Sequence, residues 1–139
     1  MLLTLHLLAL GIWIGVVGAE FVIEFDGMKS DEAAMRAAKM HYLTDIWVEA
    51  PAFTVVLVTG VLMLGEQHLT GLFLYKVILG TLAVVFNIVC VVAVFRRRKY
   101  AELGDVESMH AANGLMKVGA WVIPTFLGAF LIAMYLLFV

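Results

Sequence analysis

Four apolar runs of about 20 residues each, the length a helix needs to cross the hydrocarbon core of a bilayer, dominate this chain. They cover 2–23, 43–64, 72–95 and 118–139. Over the whole chain 64% of the residues are hydrophobic, which leaves too little polar surface to clothe a water-soluble domain of 139 residues. The sequence therefore predicts an all-α fold, an integral membrane antiparallel four-helix bundle, with 1–139 as a single transmembrane domain. The first run lacks a preceding basic region and a small-residue cleavage site, so it reads as a retained span rather than a removed signal peptide.

The connections set the expected orientation. Lys29, Arg36 and Lys39 lie between the first two runs, and Arg96, Arg97, Arg98 and Lys99 between the last two, with Lys117 at the start of the fourth. The short connection 65–71 carries no basic residue. Basic residues collect on the cytoplasmic side, so both termini and the 66–70 turn are expected on the outer (periplasmic) side of a bacterial inner membrane. Residues 31–41 and 106–113 are polar and read as helical stretches at the cytoplasmic boundary. A net charge of −2 gives no sign of a nucleic-acid partner, and a lone cysteine, Cys90, excludes a disulfide framework.

Charged groups within a span cost about 2.5–3.5 kcal/mol each at mid-bilayer, so they are expected to face the bundle interior. Helical spacing allows it. His6, Trp13, Glu20 and Glu24 fall within about 40° of one another on the first helix. His41, Asp45 and Glu49 form an i, i+4, i+8 stripe on the second, continuing through Phe53, Gly60 and Met63. Lys76, Ala83, Asn87 and Cys90 share a face of the third, and His110, Lys117, Trp121, Gly128 and Tyr135 a face of the fourth. By depth these groups make two layers. His6, Lys76 and His68 lie toward the outer side. Glu20, Glu24, His41, Asp45, Glu49 and His110 lie toward the cytoplasm, with Asn87 and Lys117 within reach.

The outer layer suits a haem or metal ligand at His6, a proton relay or an interhelical hydrogen bond. The inner layer of carboxylates and imidazoles suits iron, manganese or zinc, although the Glu-x-x-His motif of di-metal bundles is absent. No Cys-x-x-Cys, phosphate-binding glycine loop or Gly-x-Ser-x-Gly is present. Gly11 and Gly15 have the G-x-x-x-G spacing of close helix contacts, which fits a homodimer or a place in a larger membrane complex beside the lipid bilayer itself.

The stretch Leu5-His6-Leu7-Leu8-Ala9-Leu10-Gly11-Ile12-Trp13-Ile14-Gly15 resembles the first helix of the bacterial four-helix membrane protoporphyrinogen oxidases and of the copper-resistance D-type membrane proteins. Leu74-Tyr75-Lys76-Val77-Ile78-Leu79 is similar to the start of the third helix in the oxidase family. The resemblance implies a haem b-binding bundle with His6 as candidate axial ligand and Lys76 as its functional partner; by position, His68, His41 and His110 are further candidate partner ligands and Trp13 a candidate cofactor neighbour. From Ala19 to Phe25 the chain is acidic where the oxidase family carries Arg and His. The resemblance thus implies haem binding first and porphyrinogen oxidation only secondarily. Three expectations follow: a haem b protein with a redox or electron-transfer role, including that of an oxidoreductase; a divalent-metal protein or enzyme built on the carboxylate/histidine cluster; or a proton-relay or structural subunit.

Overall fold

The computed structural model describes residues 1–65 and 68–138, all of whose regular structure is helical. Four helical rods, 2–27, 31–64, 71–103 and 106–138, the last interrupted by turns at 112 and 120–121, are each long and apolar enough to cross a membrane. Glu66 and Gln67, in the expected 66–70 turn, and Val139, at the end of the expected fourth span, lie outside the described residues.

The rods are longer than the apolar runs because good helix formers continue them on one side. Helix α1 (Leu2–Gly27) is followed after a three-residue link by α2 (Asp31–Thr44), whose Ser30 cap accepts the Ala33 N–H at 3.1 Å. Helix α2 runs without a break into a π-helical turn, Asp45–Glu49, and then α3 (Ala50–Leu64). Helix α4 (Gly71–Leu103) carries the Arg/Lys run inside the helix rather than in a loop. Gly104 ends it in the left-handed conformation (φ 69°), and Asp105 caps α5 (Val106–Ala111) by accepting the Ser108 N–H at 3.0 Å. The fourth rod then comprises α6 (Asn113–Gly119) and α7 (Val122–Phe138).

The two prolines explain two of the irregular places, the π turn and the break at 120–121. Pro51 has no N–H to give the Trp47 carbonyl, and its ring crowds that carbonyl. The chain takes up the wider π turn just before it, with the Ala50 N–H reaching back to the Asp45 carbonyl. Pro124 does the same to Ala120, whose carbonyl is taken instead by the Ile123 N–H at 3.1 Å.

Side-chain partners fix the arrangement. From Gly27 against Ala37, through Glu24–His41 and Glu20–Thr44, to Trp13–Glu49 and His6–Thr59, partners on the second rod rise in number as those on α1 fall. The first two rods are therefore antiparallel. Arg97–Met116, Cys90–Gly119 and Leu79–Gly128 make α4 antiparallel to the fourth rod in the same way. Glu24–Arg97 and Trp13–Asn87 run α1 parallel to α4.

The distribution of polarity is the reverse of a soluble protein's. Leucine, valine, isoleucine and phenylalanine cover the outside, among them Leu8, Phe21, Leu62 and Leu131, while Glu20, His41, Asp45, Glu49, Asn87 and Arg97 are buried. Hydrocarbon outside and polar groups within fit a membrane protein. A core of Trp13, Val16, Val56, Ala83 and Val84 lies next to these polar groups. A second small core, Ala34, Ala38, Ala101 and Met109, closes the end formed by α2, α5 and the tail of α4.

Candidate metal centre

The inner polar layer forms one connected site. Glu20 and Glu24 come from α1 and His41 from α2, with Asp45 and Glu49 from the π turn and Asn87 and Arg97 from α4. Glu24 Oε1 accepts from His41 Nδ1 at 2.7 Å and from Arg97 Nη1 at 2.6 Å. A carboxylate bonded to a guanidinium can only accept, so His41 Nδ1 carries the proton. In the neutral imidazole, Nε2 then holds the lone pair.

The Nε2 side of the ring faces two more carboxylates. His41 Nε2 lies 3.5 Å from Glu20 Oε2 and 3.6 Å from Asp45 Oδ1. The other Glu20 oxygen, Oε1, accepts from Thr44 Oγ1 at 2.7 Å. Deeper in the bundle, the Trp13 indole N–H donates to Glu49 Oε1 at 3.1 Å and to Asn87 Oδ1 at 3.3 Å. The Trp13 ring is held edge-on by Phe126 at 5.5 Å and tilted against Phe53 at 6.1 Å. Cys90 borders the same imidazole.

Six buried polar atoms among the described residues lack a hydrogen-bond partner: His41 Nε2, Asp45 Oδ1 and Oδ2, Glu49 Oε2, Asn87 Nδ2 and Arg97 Nε. Buried polar atoms without partners are costly, at about 1–3 kcal/mol each and more when charged. All five residues concerned are almost wholly enclosed, with His41 4%, Asp45 0%, Glu49 2%, Asn87 1% and Arg97 3% exposed.

The charges do not balance either. Glu20, Glu24, Asp45 and Glu49 face Arg97 as the one permanent cation of the cluster. Protons or a bound cation have to supply the difference in so dry a setting. The geometry suits a cation. One ligand atom each from Glu20, His41 and Asp45 lie within 4.8 Å of one another. For metal bonds of about 2.0–2.2 Å, a tetrahedral site has neighbouring ligand atoms roughly 3.4 Å apart. The 3.5 and 3.6 Å separations are long for hydrogen bonds and close to that edge. Glu24 stands behind His41 where a ligating imidazole has its outer partner, which is a carboxylate, a carbonyl or a water in metal sites.

The expected stripe His41, Asp45, Glu49 is thus brought together with Glu20 and Glu24. His110, placed in the same group from the sequence, is not. It is exposed and pairs with Asp31 at 3.1 Å, and Lys117 is exposed as well. Trp121 and Tyr135, from the same expected stripe, also lie outside, at 59% and 54% exposure. The stripe assumed one unbroken helix, whereas turns at Ala112 and at Ala120–Trp121 reset its phase. The face that packs inward carries Met109, Gly119, Val122 and Thr125 instead. On the second rod, the most buried residues after the π turn are Ala52, Val56 and Thr59, with Phe53 and Gly60 at the edge of that face.

Arg97 is the functional residue the sequence reading missed, because it was counted as a loop cation. Its signal was present. Ala83, Asn87, Cys90, Val94, Arg97 and Ala101 follow 4-3-4-3-4 spacing, so Arg97 continues the inward face.

The outer layer is more dispersed. His6 Nδ1 is bonded to Thr59 Oγ1 at 2.8 Å, and a Cβ built on Gly60 would lie 3.5 Å from its ring. The Lys76 ammonium sits 5.4 Å from the Phe73 ring centre, and His68 is exposed in the link before α4. Trp13, expected as a neighbour of His6, serves the inner site. No family model, curated protein or solved structure matches this chain.

Proposed function

We propose that this protein is a multi-pass membrane protein that holds a divalent transition-metal ion, iron, manganese or zinc, inside its helix bundle. The observation that carries the proposal is that His41 Nε2 and both Asp45 oxygens are buried without partners, while one ligand atom each from His41, Asp45 and Glu20 lie within 4.8 Å of one another. His41, Asp45 and Glu20 would be the ligands, with Glu49 Oε2 in reserve beside them. Glu24, itself bonded to Arg97, holds the imidazole, and the Trp13 indole N–H, shared with Asn87, holds Glu49. Bound there, the ion would supply Lewis-acid or redox chemistry. The basic residues Arg36, Lys39, Arg96, Arg98 and Lys99 all belong to the end of the bundle near this site, which supports a cytoplasmic location for that end and an outer location for both termini.

The test is metal analysis and a visible spectrum on the same detergent-purified sample. One divalent ion per chain is expected, lost in Asp45→Asn and weakened about 10–100-fold in Glu24→Gln. A protein that is metal-free as purified and shows no saturable uptake of Fe(II), Mn(II) or Zn(II) refutes the proposal. A second reading attaches to His6. Thr59 holds its Nδ1 and leaves Nε2 for an axial bond, which supports a haem b site with an electron-transfer role at the outer side. A Soret band that sharpens on reduction and disappears in His6→Ala is the result expected of it, and a colourless protein that takes up no added haem removes it.

A further inference from the structure

On the face between α2 and α4, away from the metal centre, a cleft of about 420 Å³ is lined by Tyr42, Phe95, Arg96, Arg98, Lys99 and Glu102. Its two halves differ sharply. Phe95 is the last residue of an apolar run and Arg96 the first of a basic one. Below that boundary are two rings, Tyr42 and Phe95, edge-to-face at 4.9 Å. Above it are three cations against one carboxylate. Arg98 is held in place twice over: its guanidinium lies 3.8 Å from the centre of the Tyr42 ring, and its Nε donates to Glu102 at 2.8 Å. Arg97, although in the same run, is buried on the opposite side and takes no part.

We infer that this cleft binds the headgroup of an anionic phospholipid. The inference rests on the reading that the four rods cross a membrane, which sets the Phe95–Arg96 boundary at the level where hydrocarbon gives way to headgroups. A phosphodiester at that level meets a guanidinium whose planar donors match its oxygens, with two further cations beside it. The first methylenes of an acyl chain meet Phe95 and Tyr42, both of which present ring surface there. A zwitterionic headgroup would bring its own ammonium into a cationic cleft and is disfavoured. A free phosphate would satisfy the cations and leave the ring surface unused. Basic clefts between membrane helices on the cytoplasmic side have this chemistry in general.

The experiment is native mass spectrometry of the full chain in detergent, titrated with phosphatidylglycerol, with phosphatidylcholine of the same acyl length, and with inorganic phosphate. Phosphatidylglycerol is expected to bind at least tenfold more tightly than phosphatidylcholine. The preference should weaken roughly fivefold for each cation removed, and about a hundredfold in Arg96→Gln/Arg98→Gln/Lys99→Gln. Arg36→Gln, whose arginine pairs with Glu32 on the exposed side of α2, should leave it unchanged. Equal affinity for the two lipids, a triple variant that binds like the parent, or inorganic phosphate competing as well as the lipid would each overturn the inference. Alkaline carbonate extraction keeps the two ideas apart. A protein that stays in the membrane pellet but shows no lipid preference refutes the cleft alone, whereas release from the pellet refutes the membrane reading beneath it.

Discussion

Replacing Arg97 with methionine is the sharpest test of how the buried site is held together. The Arg97 side chain is 4% exposed and bonds Glu24 at 2.6 Å, while the Glu24 side chain is 26% exposed and keeps its second bond, to His41. Removing one partner of a buried ion pair costs about 3–5 kcal/mol, most of it for the charge left behind. Partial solvent access and the surviving histidine bond place this case at the lower end, near 3 kcal/mol. For a chain of this size about 1 kcal/mol moves the melting temperature by roughly 2–4 °C, so a drop of roughly 6–12 °C is expected. Methionine keeps most of the side-chain volume, so packing loss contributes little. The double variant Arg97→Met/Glu24→Gln is the discriminating measurement. With no charge stranded, and with a glutamine carbonyl still able to accept from His41, it should recover more than half of the lost stability. Thermal unfolding in one detergent, followed by circular dichroism, reads all three proteins. A single variant that melts within about 2 °C of the parent, or a double variant no more stable than the single, refutes the ion-pair argument.

Two further outcomes are expected from backbone packing. A Cβ on Gly119 would lie 2.7–2.9 Å from the Cβ, Cα and N of Cys90, so Gly119→Ala has to push α6 from the backbone of α4. An overpacking cost of about 1–3 kcal/mol is expected in the same melting assay, with Gly11→Ala, where nothing lies within 4 Å, as the neutral control. Pro51→Ala restores a donor for the Trp47 carbonyl and removes the cause of the π turn. The helix should be at least as stable while metal content falls, because Asp45 and Glu49 lose their present bearing on His41. Unchanged metal content would detach the π turn from the site.

The sequence made the four rods and the His41, Asp45, Glu49 stripe legible for one reason: a span tolerates few polar residues, so their spacing stands out against uniform Leu, Val and Ile. Glu20 and Glu24 were legible in the same way. Arg97 was hidden because a basic run beside a span serves as a topology signal, and four adjacent cations conceal which one turns inward. His110 and Lys117 were misplaced because periodicity was carried across breaks that only the proline geometry near Ala120 and the local turn at Ala112 create. The extension of the rods beyond the apolar runs was hidden too, since hydropathy marks where hydrocarbon ends and not where helix ends. The bond from His6 to Thr59 was invisible for a simpler reason: a threonine hydroxyl in an apolar helix normally satisfies itself on the preceding turn, as Thr59 also does at the Val55 carbonyl, 2.6 Å away.

The antiparallel pairing of α1 with the second rod bears on how the chain is made. Glu20, Glu24, Asp45 and Glu49 all lie within the first 64 residues, whereas Arg97 follows much later. During synthesis the acidic hairpin is complete before its only permanent counter-charge has left the ribosome. Entering hydrocarbon alone would strand four carboxylates at about 2.5–3.5 kcal/mol each. If the rods cross a membrane as proposed, the hairpin has to enter protonated, enter with a bound cation, or wait at the interface until α4 arrives. Insertion of a chain halted after Leu64 should respond to pH and to added metal ions in a way that insertion of the full chain does not. On that reading, the position of one arginine along the message sets how long the acidic hairpin must do without its counter-charge.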